Sequence, residues 1–220
     1  MGLIHRVVAD VDGLVAAVAV PEPASPAVLY PEEFAAVRDA SEKRQGEYAA
    51  VRQCARLAFE RLGLPPVAIV TGPDRAPRWP DGVVGSFTHT PGCYAAVVAL
   101  GTYLAGVGVD AEPDAALPDG VGERVLSAAE RHRAARLPGD GPAWDRLTFC
   151  AKEAVYKACQ PLLGGWLGFD EAEVAVEPDG TLQAHLLTRA PEVAGVIVRD
   201  LPGRWASDGR HLLAAVTIRS

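Results

Sequence analysis

Residues 83–112 read VVGSFTHTPGCYAAVVALGTYLAGVGVDAE, and the fold turns on how this stretch divides. Three apolar runs, Val83–His89, Cys93–Leu100 and Tyr103–Asp110, are set apart by turn signals at Thr90–Gly92 and Gly101–Thr102. Each has the length of a strand and is bounded by turn-forming residues, so three strands are predicted. Cys93–Leu100 is too uniformly apolar to alternate between core and solvent, which makes it a central strand.

Upstream, Leu14–Val20 reads as a buried strand, and Pro21, Pro23, Pro26 and Pro31 follow it as a stiff connector. From Pro31 to Gly63 the apolar spacing is helical, with a break expected near Gly46 and a stop at Gly63. Pro66–Val70 is read as a short strand and Thr71–Gly82 as a loop. Downstream, a polar loop at Pro113–Gly120 precedes two helices, Ser127–Leu137 and Ala143–Gln160, the second ended by Pro161. Strands are expected at Ala172–Val176, Leu182–Leu187, Val193–Val198 and His211–Arg219, with Pro178-Asp179-Gly180 as a hairpin turn. Each half thus runs from helices to β hairpins, an α+β order. The expected division is an N-terminal lobe of residues 1–107 and a C-terminal lobe of residues 108–220.

Composition narrows the possibilities. Of 220 residues, 49% are apolar and 22% charged, which suits a folded protein rather than a disordered one. The formal charge, 21 − 28 = −7, is the wrong sign for a uniformly basic nucleic-acid binder. Cys54, Cys93, Cys150 and Cys159 have no zinc-ligand spacing and are expected as free thiols in a reducing compartment. The opening residues lack a signal-peptide arrangement, and no apolar run is long enough to span a membrane. A soluble, cytoplasmic protein is expected.

Three constellations could carry chemistry. In Gly108-Val109-Asp110-Ala111-Glu112, strand alternation puts Asp110 and Glu112 on one side. Two carboxylates there repel unless a cation sits between them, and a hard divalent ion suits oxygen ligands. A solvated strand end is the plainer alternative. In Phe149-Cys150-Ala151-Lys152-Glu153-Ala154-Val155-Tyr156-Lys157, helical spacing places Glu153 and Lys157 four apart on the polar side. By itself that is an ordinary ion pair worth a few tenths of a kcal/mol. Along the first long helix Arg44, Arg52 and Arg56 share one broad face, with Arg75, Arg78 and His89 further on. Guanidinium forks suit phosphate oxygens, so an anionic ligand is one reading and a solvated helix face the other. Phosphate-loop, dinucleotide and nucleophile-elbow motifs are absent from the sequence.

Taken together the motifs resemble the Sfp-like 4'-phosphopantetheinyl transferases, and most closely their enterobactin-synthase and actinobacterial branch. Val107–Glu112 is similar to the family's (V/I)G(V/I)DxE strand and Phe149–Lys157 to its (F/W)xxKExxxK helix. Arg44–Tyr48 and Arg52–Arg56 resemble the branch's R-x-x-E-[FY]…R-x-C-A-R helix, and Trp79–His89 its W-P-x-G-x-x-G-S-x-T-H segment. Thr90 stands where the family often has cysteine.

The resemblance implies two similar α/β lobes in one chain, acting as a monomer, with coenzyme A in the cleft between them. It implies that Asp110, Glu112 and Glu153 hold Mg²⁺, or Mn²⁺ in its place. Glu153, Lys157 and Asp110 are the implied catalytic residues, with Glu153 taking the proton of the acceptor serine. Arg44, Arg52, Arg75, Thr88, His89, Lys152 and Lys157 are the implied coenzyme A contacts. The implied partner is an apo acyl or peptidyl carrier protein, expected to land near Arg131, His132, Arg133 and Arg136. A magnesium-dependent phosphohydrolase and a coenzyme A-binding regulatory module are the rival readings.

Overall fold

The structure, a computed structural model, describes residues 2–9, 11 and 13–220. Among the described residues six α-helices occur in chain order: α1 Ile4–Val7, α2 Pro31–Phe34, α3 Glu42–Arg61, α4 Gly122–Val125, α5 Ala128–Ala134 and α6 Trp144–Leu163. The strands are β1 Val15–Val20, β2 Val83–Thr90, β3 Cys93–Leu100, β4 Leu104–Pro113, β5 Ala172–Val176, β6 Thr181–Leu186, β7 Glu192–Val193, β8 Val196–Ile197, β9 Asp200–Ser207 and β10 His211–Arg219.

Every ladder is antiparallel. β3 is the centre of a three-stranded sheet, β1-β3-β2, as its apolar run requires. A five-stranded sheet runs β4-β10-β9-β6-β5, and β7-β8 is a small hairpin. Helix α3 covers the first sheet, burying Cys54, Ala55, Ala58 and Phe59 against Ala16, Val18, Ala96 and Val98. Helix α6 covers the second, with Leu147, Ala151, Ala154 and Ala158 packed on Val174, Ala184, Leu212 and Val216. All four cysteines are buried and free. No described helix is long and apolar enough to cross a membrane.

Several expectations are corrected. The break in the Pro31–Gly63 helix falls between α2 and α3, where Ser41 caps α3 by accepting from Arg44 N at 3.3 Å. Gly46 lies inside the unbroken helix, where the connector packs on it: Ala24 N donates to Gly46 O at 3.1 Å. A Cβ there would come within 3.2 Å of the Pro23 ring. Pro66–Val70 is not a strand. Its polar groups go to side chains, with Ile69 N donating to Glu33 and Ile69 O accepting from Arg52. Pro161 does not end α6, which runs on to Leu163 and stops at Gly164, with φ +63°. The predicted strand Val193–Val198 is instead the hairpin β7-β8, turning at Ala194 and Gly195. Strand β9 is an addition, hidden because Pro202-Gly203 reads as a turn; Gly203 is required there because a Cβ would meet Ala215 O and Leu182.

Candidate functional site

Strand β4 is an edge of the five-stranded sheet, so its outward N–H groups need partners from elsewhere. Those partners are hydroxyls of β2: Val109 N donates to Ser86 Oγ at 3.0 Å and Ala111 N to Thr88 Oγ1 at 2.8 Å. The edges of the two sheets therefore meet along a seam of serine and threonine. Thr88 also donates to Asp110 Oδ1 at 3.2 Å, so the seam orients that carboxylate. Ser86 was not singled out from sequence; its alternation with Thr88 along an otherwise apolar strand was the available signal.

Helix α6 packs closely on one face of β4. A Cβ on Gly108 would sit 1.9 Å from Ala154 O, and one on Gly106 would sit 2.5 Å from Ala158 O. Both glycines are there for this close approach. It brings Lys157 across to β4, where its Nζ donates to Asp110 Oδ1 at 2.6 Å and to Val109 O at 3.1 Å. Lys157 thus turns to Asp110 rather than to Glu153, one turn back on its own helix. At the other end of the helix Arg146 Nη1 donates to Glu112 Oε2 at 2.8 Å. Arg146 is a second residue that sequence reasoning passed over.

The three carboxylates feel one another. Burial pushes the Glu153 carboxyl above its ordinary range, and the negative charges of Asp110 and Glu112 push it further. Burial also raises Glu112, with Arg146 opposing and Asp110 reinforcing the rise. Asp110 is 6% exposed, and its Oδ2 is buried without a hydrogen-bond partner. Among the described residues no three His, Cys, Asp or Glu side chains form a ready metal cage. The donor set still suits a hard divalent cation: it is all oxygen, mutually repulsive, and has one buried oxygen left over. Asp110, Glu112 and Glu153 are the residues that could hold such an ion.

Asp110 and Lys157 open onto a cavity of about 780 Å³ whose lining includes Arg44, Arg52, Thr71, Arg75, Thr88, His89, Tyr156 and Gln160. Arg44 Nη1 donates to His89 Nε2 at 2.7 Å. Arginine can only donate, so the proton of a neutral His89 resides on Nδ1. Burial, and then the Arg44 charge, hold this imidazole below its usual pKa. Arg52 is buried at 3% exposure, with its guanidinium stacked on the Tyr48 ring and donating to Ile69 O, Tyr48 O and Thr71 Oγ1. Burial brings its pKa down to about 10, which leaves it charged at neutral pH. Arg75 stands on the cavity wall in a left-handed conformation, φ +65°.

Two predicted basic groups are committed elsewhere. Lys152 is buried and donates to both oxygens of Glu130, at 2.9 and 2.7 Å, so it faces the α5 side rather than this cavity. Arg56, on the face expected to be basic, pairs with the fully buried Glu33. Arg44, Arg52, Arg75, Thr88, His89, Asp110 and Lys157 are brought together around one opening.

Comparison with known proteins gives this geometry a context. The family described as the 4'-phosphopantetheinyl transferase N-terminal domain matches residues 32–99, and the 4'-phosphopantetheinyl transferase superfamily matches residues 106–214. The 4'-phosphopantetheinyl transferase Svp of Streptomyces mobaraensis is 48% identical over 87% of this chain and 79% of its own length. PptT of Mycobacterium tuberculosis, a protein of the same description, is 40% identical over 86% of this chain and 85% of its own. Enterobactin synthase component D of Salmonella typhi is 30% identical over 82% of this chain and 75% of its own. With both family matches in chain order and relatives this similar over most of its length, the chain belongs to the 4'-phosphopantetheinyl transferase superfamily and is an enzyme of that class.

Proposed function

We propose that this enzyme transfers the 4'-phosphopantetheine arm of coenzyme A to a serine of an apo acyl or peptidyl carrier protein, releasing 3',5'-ADP. The observation that carries the reading is Asp110: a buried carboxylate with one orphaned oxygen, on the wall of a basic cavity and flanked by two further carboxylates. The names of the relatives agree with the transferred group. Coenzyme A carries a pyrophosphate and a 3'-phosphate, and the basic residues of the cavity complement such an anion.

In this reading residues 1–107 and 108–220 are two lobes, and the cavity is the cleft between them. Asp110, Glu112 and Glu153 would hold Mg²⁺, with Mn²⁺ able to replace it. When bound, the ion supplies charge neutralisation on the phosphate oxygens of the transfer. Lys157, already beside Asp110, adds a positive charge where negative charge builds on the leaving side. Glu153 is assigned to accept the serine proton, directly or through a bound water. Arg44, Arg75 and His89 are assigned to the 3'-phosphate; Thr88 acts through Asp110, and Arg52 shapes the wall. The protein acts as a cytoplasmic monomer.

The test is incubation with coenzyme A, Mg²⁺ and a panel of apo carriers, read by intact-protein mass. A gain of one phosphopantetheine on the carrier is expected. Coenzyme A consumed with the carrier unmodified would instead support a phosphohydrolase and sink the transfer reading. Asp110→Asn should lower kcat by about 100-fold or more, whereas Arg44→Ala should mainly raise KM for coenzyme A.

A further inference from the structure

Arg146 has no part in the roles assigned so far, yet it is bound more completely than either of the other charged groups on its stripe of α6. At about 100° per residue, Arg146, Glu153 and Lys157 fall within about 40° of one another on the helix surface. Along the axis Glu153 is about 10 Å beyond Arg146, and Lys157 about 6 Å further on. The two cations thus bracket the carboxylate, and each reaches to β4: Arg146 to Glu112 at 2.8 Å and Lys157 to Asp110 at 2.6 Å.

The Arg146 fork is fixed at three points. Besides Glu112 Oε2, its Nε donates to Ala115 O at 3.2 Å and its Nη2 to Ala116 O at 3.0 Å. Neighbouring contacts fasten the same loop to the start of α6: Leu117 N donates to Asp145 Oδ2 and Ala143 N to Asp114 Oδ1, both at 2.9 Å. Both side chains of the Arg146–Glu112 pair are largely covered, at 17% and 23% exposure. This is unlike a mobile surface pair, which typically contributes little.

We infer that Arg146 is a positioning residue that engages one oxygen of Glu112 and leaves the other for a metal ion. The inference rests on the proposed binding of Mg²⁺ by Asp110, Glu112 and Glu153. A glutamate held this way has one oxygen unclaimed, while the other already accepts from a guanidinium, so binding through a single oxygen is favoured over bidentate binding. Ca²⁺ takes more oxygen ligands and often a bidentate carboxylate, whereas Mg²⁺ and Mn²⁺ take fewer at shorter range. Arg146 therefore supports Mg²⁺ and Mn²⁺ and discriminates against Ca²⁺.

The experiment is Mn²⁺ binding followed by electron paramagnetic resonance, in the presence of coenzyme A, with Mg²⁺ and Ca²⁺ as competitors. Arg146→Met should weaken Mn²⁺ binding by about 10- to 100-fold, the usual effect of losing a group that orients a metal ligand. Arg146→Lys keeps the charge and lacks the planar fork; it should weaken binding to a lesser degree and narrow the preference for Mg²⁺ over Ca²⁺. The lysine variant serves if the methionine variant does not fold. Mn²⁺ affinity and ion preference equal to wild type in folded Arg146→Lys would overturn the inference, as would tighter binding in either variant. Wild-type protein that binds no Mn²⁺ and transfers without any metal would bring down the metal reading itself, an outcome visible before any variant is made.

Discussion

Glu153 shows how a single carboxyl trades stability for chemistry. Its pKa is raised by burial and by the charge of Asp110, so the native state holds its proton more tightly than the unfolded chain does. The contribution of such a group to stability is fully present below the unfolded pKa, near 4.5, and is lost as pH rises through the raised folded value. At neutral pH the ionised side chain is therefore a net cost. Glu153→Gln should melt at a higher temperature than wild type at pH 7, with the difference closing below about pH 4.5. In the proposed transfer the same variant should lose about 100-fold or more in kcat, because the group assigned to accept the serine proton is gone. Equal melting temperatures at pH 7 in metal-free buffer would show that burial and the neighbouring carboxylates do not make the ionised Glu153 costly. How much of this was legible in sequence depends on the range of the contact. Asp110 and Glu112 two apart on a strand, and Glu153 and Lys157 four apart on a helix, are local patterns that can be read directly. The partner of Lys157, 47 residues away at Asp110, could not be.

The same limit applies to whole elements. β2, β3, α6 and β10 were legible because each buries a continuous or periodic apolar face, a signal held within the segment. β9 was not, since its Pro202-Gly203 serves a neighbour, Ala215 of β10, rather than a turn. Lys152 sits one residue from Glu153 in the same motif, but helix geometry turns it to Glu130 and the core. Only the packing of α5 and β5, including the Val174 N to Glu130 bond, reveals that its charge is structural. Gly108 is the clearest element-scale requirement. With only 1.9 Å between a prospective Cβ and Ala154 O, Gly108→Ala must push α6 away from β4. Overpacking of this kind costs typically 1–3 kcal/mol. A fall in Tm of about 2–4 °C per kcal/mol is expected for a chain of this size. Activity should fall further than stability, because the shift separates Lys157 and Glu153 from Asp110. A variant with a lowered Tm but wild-type kcat would show that the helix position is not critical.

Across the whole molecule, the two larger sheets join at an edge-to-edge seam between β2 and β4, and the cavity opens beside it. Its far rim is the loop after Val70, shaped by an isolated bridge between Thr71 and Pro77 and carrying Arg75. This loop is tied to α6 by Gln160 Nε2 donating to Asp74 Oδ2 at 2.9 Å, while Asp74 Oδ1 accepts from Arg78 Nη2 at 2.8 Å. Arg78 in turn lies against Gly72, where a Cβ would meet its guanidinium. The chain Gln160–Asp74–Arg78 therefore holds the Arg75 loop in place across the opening. Gln160→Ala removes the only link in that chain supplied by α6. The net worth of one such bond is about 0.5–1.5 kcal/mol. Expressed as binding, that is about a 2- to 12-fold rise in KM for coenzyme A. The catalytic groups are untouched, so kcat should stay within about twofold of wild type, which is the signature of a lost binding contribution. A proportionate fall in kcat would mean that the loop takes part in the chemical step, and an unchanged KM would mean that the contact proposed for Arg75 does not need the tether.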